Sequence, residues 1–447
     1  MSSFAFAPPP SPAVRRRVVV TGIGAVTPLG LSAVETWHGL VHGRSGIGPI
    51  TRFDATLCSA RIAGEVRGFD PTKALAAPLF PRGRERDPVL APFTPKDLKK
   101  FGRFTHLGVT AAVEAYSDSG LDPHRASLDS ERMGVNLGVG IGGLPEIEAM
   151  HDVYKAGGFR KISPFLIIQI APNLLSGQAS LLLDLRGPNM SIASACATSG
   201  HALGESAAAI ARGDADVMIA GGAESTVSPL AIGAFAQMRA LSTRNDAPEK
   251  ASRPYDAQRD GFVLSEGAVV FVLEEMEHAI RRGARIYAEL RGYGASADAY
   301  HLSSLAEGAE GSQRSMRRAL ATAGLAATDI DFVSAHATST PGGDGEEAVA
   351  IATVFAANKA NLHVSATKSM VGHLLGGAGA MGAFAAVLAI RDGVVPPTIN
   401  LDEIDPAIAA LGLNIAANQA VRKPVHAALA NSFGFGGTNA SIVVARL

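Results

Sequence analysis

Three reactive side chains stand where short apolar runs give way to small residues: Cys196 in SACATSGH, His336 in SAHATSTPGGDGEEA and His373 in TKSMVGHLLGGAGA. Cys196 follows the apolar run Met190–Ala193 and precedes a helical stretch. A thiol at a helix N-terminus faces backbone N–H groups, which favours the thiolate. A strand–turn–helix placement also exposes the sulfur, as in a nucleophile elbow. Read alone, Cys196 is either a nucleophile or a small buried hydrophobe. A neutral imidazole donates a hydrogen bond to developing negative charge, and two can share one enolate oxygen. A single such histidine could equally be a satisfied interior residue, but three strand-end motifs of this kind together point to nucleophilic catalysis. No HExxH or Cys/His ligand spacing occurs, so no metal site is expected. The other cysteine, Cys58, lies in a polar loop and is read as structural.

Two glycine patterns invite a dinucleotide reading. Gly22-Ile-Gly24 has Thr27 where the third glycine belongs. Gly138-Val-Gly140-Ile141-Gly142-Gly143 fits G-x-G-x-x-G, but no acid lies between Asp152 and Asp184, where a ribose-binding carboxylate should stand. These glycines are expected to let backbone approach a neighbouring strand or ligand.

The elements that must position these groups follow from periodicity. Short apolar runs recur at Arg17–Leu29, Val135–Val139, Met190–Ala193, Val217–Ala220, Val269–Leu273, Ile286–Gly292, Phe332–Ser334, His363–Ser365 and Ala427–Ala430. Ala-rich helical stretches such as Gly200–Ala211 and Gly376–Ile390 lie between many of them. Near-continuous apolar strands alternating with helices predict an α/β protein with sheets covered on both faces. Ser194–Gly204 (SACATSGHALG) and Ser365–Gly376 (SATKSMVGHLLG) share an opening Ser-Ala and a Gly-His-x-Leu-Gly with a one-residue offset. A duplication would bring residues near 196 and 368–373 to one central place.

The 447 residues suggest two or three domain-sized units. A net charge of −1 supplies no global field for nucleic acid or an acidic membrane. Two cysteines exclude a disulfide framework. Three 22-residue stretches lack Asp, Glu, Lys and Arg: Ile162–Leu183, Ser369–Ile390 and Pro424–Ala445. None is continuously apolar, and the second reads as a helix buried all round rather than a membrane span. Residues 1–16 read as a disordered leader, with a short transit peptide as the alternative. Residues 81–103 carry seven basic side chains (Arg82, Arg84, Arg86, Lys96, Lys99, Lys100, Arg103) against three acids. They are a solvated face or a docking surface for an acidic partner.

ACATSGH at Cys196, HATSTPGGD at His336, TKSMVGHLLGGAGA at Lys368–His373 and NSFGFGGTNA at Asn431 resemble β-ketoacyl-acyl-carrier-protein synthase, a condensing enzyme of the thiolase superfamily. The resemblance runs from about Arg17 to Leu447, including ALSTRNDAPEKASRPYDAQRDGFVLSEGA at Ala240–Ala268. GGFRKISPF and SADAYHL look closer to the second elongating type, whereas ACATSGH, EKASRPYDA and GLNI lean towards the first. The histidine pair argues against the initiating type, and Cys196 against a chain-length factor, where the nucleophile is replaced.

The resemblance implies a thiolase-like α/β fold of two duplicated halves in a five-layer α/β/α/β/α core. Residues 17–275 would carry the nucleophile; 276–447 would carry both histidines and the lysine. Cys196 would take the acyl chain from its carrier as a thioester. Malonyl carrier would lose CO2, and the enolate, held by His336 and His373, would attack that thioester. Lys368, with Glu347, Asp344, Thr338 and Thr340 in support, would fix the histidines. The N–H groups of Cys196 and Phe435 would form the oxyanion hole, with Gly434, Phe435 and Gly436 as a gate. Ile141, Phe235 and Phe433 would line the acyl pocket. Lys96, Lys99, Lys100, Arg160, Lys161 and Arg239 would dock the acidic acyl carrier protein. The implied protein is a cytoplasmic homodimer that uses no cofactor and binds neither nucleic acid nor membrane. A polyketide-type ketosynthase and a non-decarboxylating thiolase are the enzymatic alternatives; a silent partner subunit is the non-catalytic one. Two departures stand out: Ala337 replaces the glycine of HGTSTP, which would strain the loop if φ is positive there, and Gly377 replaces an alanine.

Overall fold

A computed structural model describes residues 15–73, 92–302 and 305–447, without the side chains at 123, 125 and 126. Arg82, Arg84, Arg86 and most of the expected leader therefore lie outside the described residues. The leader was expected to extend to 16, but Arg16 belongs to the body, where its guanidinium meets Asp216 at 2.5 Å.

Eleven strands form one sheet. They are β1 (Val18–Val26), β2 (Met133–Val139), β3 (Asn189–Met190), β4 (Val217–Glu224), β5 (Gly267–Glu275), β6 (Ala288–Ala297), β7 (Phe332–Ser334), β8 (His363–Ser365), β9 (Asn414–Ile415), β10 (Ala427–Gly434) and β11 (Thr438–Ala445). Their order is β9-β8-β7-β10-β11-β6-β1-β5-β4-β2-β3. The expected strand at Met190–Ala193 is shorter and earlier, because the chain leaves the sheet after Met190 to enter the turn that carries Cys196.

Six helices complete the frame: α1 (Arg103–Ser119), α2 (Leu174–Leu183), α3 (Thr198–Arg212), α4 (Glu310–Ala323), α5 (Pro341–Val354) and α6 (Ala378–Asp392). Helices α1 and α2 cover the outer face of one half-sheet, α4 and α5 that of the other, and α3 and α6 pack together between them. This gives five layers.

The pairings repeat. In the first half β2 runs parallel to β3 and β4, β4 antiparallel to β5, and β5 antiparallel to β1. In the second, β7 runs parallel to β8 and β10, β10 antiparallel to β11, and β11 antiparallel to β6. The halves join where β1 and β6 pair at Val19↔Glu289 and Val20↔Ala288.

Alanine content explains the middle layer. Every residue of α6 from Ala378 to Ile390 is buried, which small and apolar side chains permit between the two half-sheets. A Cβ on Gly379 would stand 2.5 Å from the Gly200 nitrogen, so α3 and α6 cross where both lack side chains. By length and composition Leu375–Asp392 could cross a membrane, yet 89% of that window is buried inside the fold.

The sequence repeat marks the right regions in the wrong register. Each half enters its central helix through a 3-10 turn, Ala195–Ala197 before α3 and Leu375–Gly377 before α6. Ala195 and Leu375 both have left-handed backbone, with φ 47° and 43°. Cys196 thus corresponds to Gly376, whereas the shared letters align it with Thr367. The second half inserts the short helix Lys368–Val371 and His373 before its turn.

Candidate active site

A cavity of about 310 Å³ opens at the ends of the central strands. Cys196, His336 and His373 line it together with Thr338, Thr340, Ile141, Phe235, Phe433, Gly434 and Phe435. Lys368, Glu347 and Asp344 stand behind this wall.

His336 lies on the loop that follows β7. Its N–H donates to Glu347 Oε1 at 2.8 Å, and the Ala337 N–H donates to Oε2 at 2.6 Å. Asn431 Nδ2 donates to the same carboxylate at 3.1 Å. The buried Lys368 ammonium donates to the His336 carbonyl oxygen and lies 3.4 Å from His336 Nδ1. His373 donates its backbone N–H to the Val263 carbonyl at 2.8 Å, and its Nδ1 accepts the Leu375 N–H at 3.3 Å. Both Nδ1 atoms therefore face donors, which assigns the ring proton to Nε2 in each. The two rings stand edge to face with centroids 5.5 Å apart. Phe262 packs on His373 and Phe433 on His336. Burial, then the charge of Lys368, holds both imidazoles well below their ordinary pKa. They are neutral Nε2–H donors at pH 7.

Cys196 departs from expectation. It is buried in the turn just before α3, and burial pushes its thiol up to about 11. Lys368 and the N–H groups of Phe435 and of Cys196 itself pull in the opposite direction. The helix end does not outweigh the loss of water. Those same two amides are the expected oxyanion donors, and both reach the sulfur. Burial lowers Lys368 to about 8, with Glu347 the main opposing influence.

Asp344 secures the histidine loop from below. Its Oδ1 accepts the Ser339 N–H and its Oδ2 the Tyr255 N–H, both at 3.0 Å. Burial raises its pKa to about 6. The left-handed residue of the loop is Ser339, φ 72°, and Ala337 is not in that region, so its replacement of glycine carries no backbone strain. Thr338 and Thr340 face each other at 3.1 Å between hydroxyls.

At the opposite rim, Gly434 is bare because a Cβ there would stand 3.1 Å from the Cys196 nitrogen, whereas Gly436 is needed for its φ of 86°. The Gly436 N–H donates to the Leu302 carbonyl at 2.7 Å, and Asp298 N–H donates to the Gly437 carbonyl at 2.7 Å. Asp298, His301, Leu302 and Phe262 line the cavity and were not singled out from the sequence. Asp298, His301 and Leu302 fall in SADAYHL and Phe262 in the stretch Ala240–Ala268, both of which carry the family resemblance without an assigned role.

Lys96, Lys99, Arg160, Lys161 and Arg239 are exposed, and none lines the cavity. Lys100 is half-buried and bonded to Asp97 at 2.8 Å. The second glycine pattern holds a carboxylate of this chain: Gly140, Ile141 and Gly142 donate their N–H groups to Glu224. Cys58 packs partly buried against an apolar cluster.

Comparison with known proteins identifies the family. Residues 15–279 match the family described as "Beta-ketoacyl synthase, N-terminal domain", and residues 287–402 match "Beta-ketoacyl synthase, C-terminal domain". The chain is 47% identical over 433 residues to 3-oxoacyl-[acyl-carrier-protein] synthase 2 of Coxiella burnetii, covering 97% of this chain and 99% of that protein. It superposes on a β-ketoacyl synthase from Burkholderia phymatum with TM-score 0.85 and 34% identity, covering 97% of this chain and 100% of the other. A type II polyketide ketosynthase, AntDE, solved in complex with its acyl-carrier protein, gives TM-score 0.85 at 30% identity over 97% and 100% of the two chains.

Proposed function

The chain belongs to the β-ketoacyl synthase family and is a decarboxylating acyltransferase of fatty-acid elongation; from that premise we propose that Cys196, His336, His373 and Lys368 carry the reaction. The observation that supports the assignment is the convergence of one thiol and two Nε2–H imidazoles on a single cavity. The polyketide alternative is not favoured: identity is 47% to the fatty-acid enzyme and 30% to the polyketide ketosynthase.

In the first half-reaction Cys196 sulfur attacks the acyl-carrier thioester. The carbonyl oxygen gathers negative charge in front of the Cys196 and Phe435 N–H groups, and loss of one such donor typically costs about 3–4 kcal/mol. The carbon–sulfur bond to the carrier breaks, and the cysteine proton ends on the departing carrier thiol. In the second half-reaction the malonyl carboxylate leaves as CO2, and its bonding pair becomes an enolate. His336 and His373 donate Nε2–H to the enolate oxygen, an interaction that strengthens as charge grows. The enolate carbon then attacks the acyl-Cys196 carbonyl, and the sulfur departs and takes up one proton from solvent water. Electrons and protons balance without a cofactor.

The role of Lys368 is to hold His336 by its carbonyl and to favour the thiolate form of Cys196. Glu347, Asp344, Thr338 and Thr340 secure the histidine loop. Ile141, Phe235 and Phe433 wall the acyl chain, and Gly434–Phe435–Gly436 gates it. The carrier docks on Lys96, Lys99, Arg160, Lys161 and Arg239; Lys100 contributes less because Asp97 already neutralises it. The working molecule is a cytoplasmic homodimer, with 17–275 supplying the nucleophile and 276–447 the histidines and Lys368.

Half-reaction assays test the assignment. Cys196→Ala should show no acyl adduct by mass spectrometry while remaining folded. His336→Ala and His373→Ala should cut CO2 release from malonyl carrier by about 100-fold and reduce Cys196 acylation far less. Equal loss of both half-reactions, or acylation at another residue in Cys196→Ala, would refute these roles.

A further inference from the structure

The glycine-rich segment after β2 has a function in this fold that its resemblance to a phosphate loop conceals. The N–H groups of Gly140, Ile141 and Gly142 donate to the Glu224 carboxylate at 2.9, 3.1 and 3.0 Å. Gly376, from the other half of the molecule, adds a fourth donor at 3.3 Å. Glu224 is fully buried at the end of β4. Burial raises its pKa to about 7 against the pull of those four N–H groups. A Cβ on Gly140 would lie 2.6 Å from Glu224 Oε2, and one on Gly376 would lie 2.5 Å from the Gly140 nitrogen. The cradle therefore requires bare backbone from both halves.

Duplication gives this cradle a counterpart. Val139, the last residue of β2, pairs with Ala223, and Ser334, the last residue of β7, pairs with Ala430. The next residues on β4 and β10 are Glu224 and Asn431, which thus occupy matching places. In the second half Asn431 donates to Glu347, and Glu347 accepts the N–H groups of His336 and Ala337. Each half thus uses a buried carboxylate to hold the loop that follows one strand, β2 in the first and β7 in the second. In one half that loop presents His336 to the cavity, and in the other it presents Ile141.

We propose that Glu224 is a positioning residue for acyl-chain selection, fixing Ile141 as a wall of the cavity and tying that wall to the turn beside His373. The inference rests on the reading of Ile141 as an acyl-pocket residue. Three consecutive amides bound to one carboxylate leave the Ile141 backbone little freedom, so the side chain meets an incoming chain as a fixed surface. Four N–H donors need acceptor oxygens, which Glu224 supplies on both arms, and their loss is felt most by acyl chains long enough to reach the wall.

The test compares Cys196 acylation across carriers loaded with chains of increasing length, alongside CO2 release from malonyl carrier. Glu224→Gln keeps the size but turns an amide NH2 towards amide donors. The expected result is that the ratio of kcat/KM between the best and worst chain lengths moves about tenfold towards unity. CO2 release should fall by less than about threefold. Ile141→Ala should shift the ratio in the parent protein and add little in the Glu224→Gln background. If Glu224→Gln does not fold, Glu224→Asp, which retains the charge, should give a smaller shift of the same sign. Losses equal at every chain length, or fully additive effects of the two substitutions, would overturn the proposal. A parent protein that forms no acyl adduct on Cys196 would overturn the condensing reading as well.

Discussion

At Cys196 two influences oppose each other, and their sizes decide which governs. Amides of the turn and the Lys368 charge favour thiolate, but removal from water weighs more and lifts the thiol to about 11. The direction of the shift makes the neutral thiol the resting form at pH 7. The sign of the shift makes a prediction. A thiol raised above neutrality gains thiolate as pH rises, so in a Cys58→Ala chain the iodoacetamide alkylation rate of Cys196 should climb several-fold per unit from pH 6 to 8. Lys368→Ala should lower the rate at pH 8, because the opposing positive charge is gone. A plateau reached below pH 8 would contradict this account.

Among the elements, the first half is left unfinished in a single chain. Among the described residues strand β3 pairs only with β2, which leaves its other edge without a partner there, and Asn189 and Met190 are both exposed. Nearby, the helices Leu144–Gly157 and Leu166–Ile170 bury none of their residues, although Ile147, Tyr154 and Ile167 are among them. An open strand edge near exposed apolar side chains favours pairing with another chain. A second copy supplies both a matching edge and matching apolar surface. The expected outcome in sedimentation is a particle of twice the chain mass at micromolar concentration. A monomer that condenses acyl and malonyl carriers unaided would remove the homodimer from the mechanism.

For the whole molecule, a formal charge of −1 means that the proposed docking of an acidic carrier would rest on local fields. Lys96 and Lys99 stand near the start of α1, and Arg160 and Lys161 follow the helix Leu144–Gly157. Such exposed charges steer association and are screened by salt. Lys99→Glu and Arg160→Glu should each raise KM for the acyl carrier about five- to tenfold at low salt, with kcat nearly unchanged. The difference from the parent should shrink above about 0.5 M salt, where the Debye length is only a few Å. A KM that does not move would place the carrier elsewhere.

The sequence alone determined the α/β class and the segments that carry Cys196, His336 and His373, because apolar runs and the small residues after them are local signals; only His336 directly follows its strand, whereas a turn carries Cys196 and a short helix precedes His373. It also pointed to a duplication through Ser-Ala and Gly-His-x-Leu-Gly, although those letters do not fall at matching places in the two halves. What it could not determine was the register of that repeat, which depends on the turns Ala195–Ala197 and Leu375–Gly377 and on the close crossing of α3 and α6. Glu224 and Asn431 are ordinary letters at strand ends until pairing in the sheet sets each beside the loop it secures. The protonation of Cys196 was decided there too. A helix end is written in the chain, whereas the exclusion of water that overrides it comes from residues distant in sequence and joined only when the two halves close.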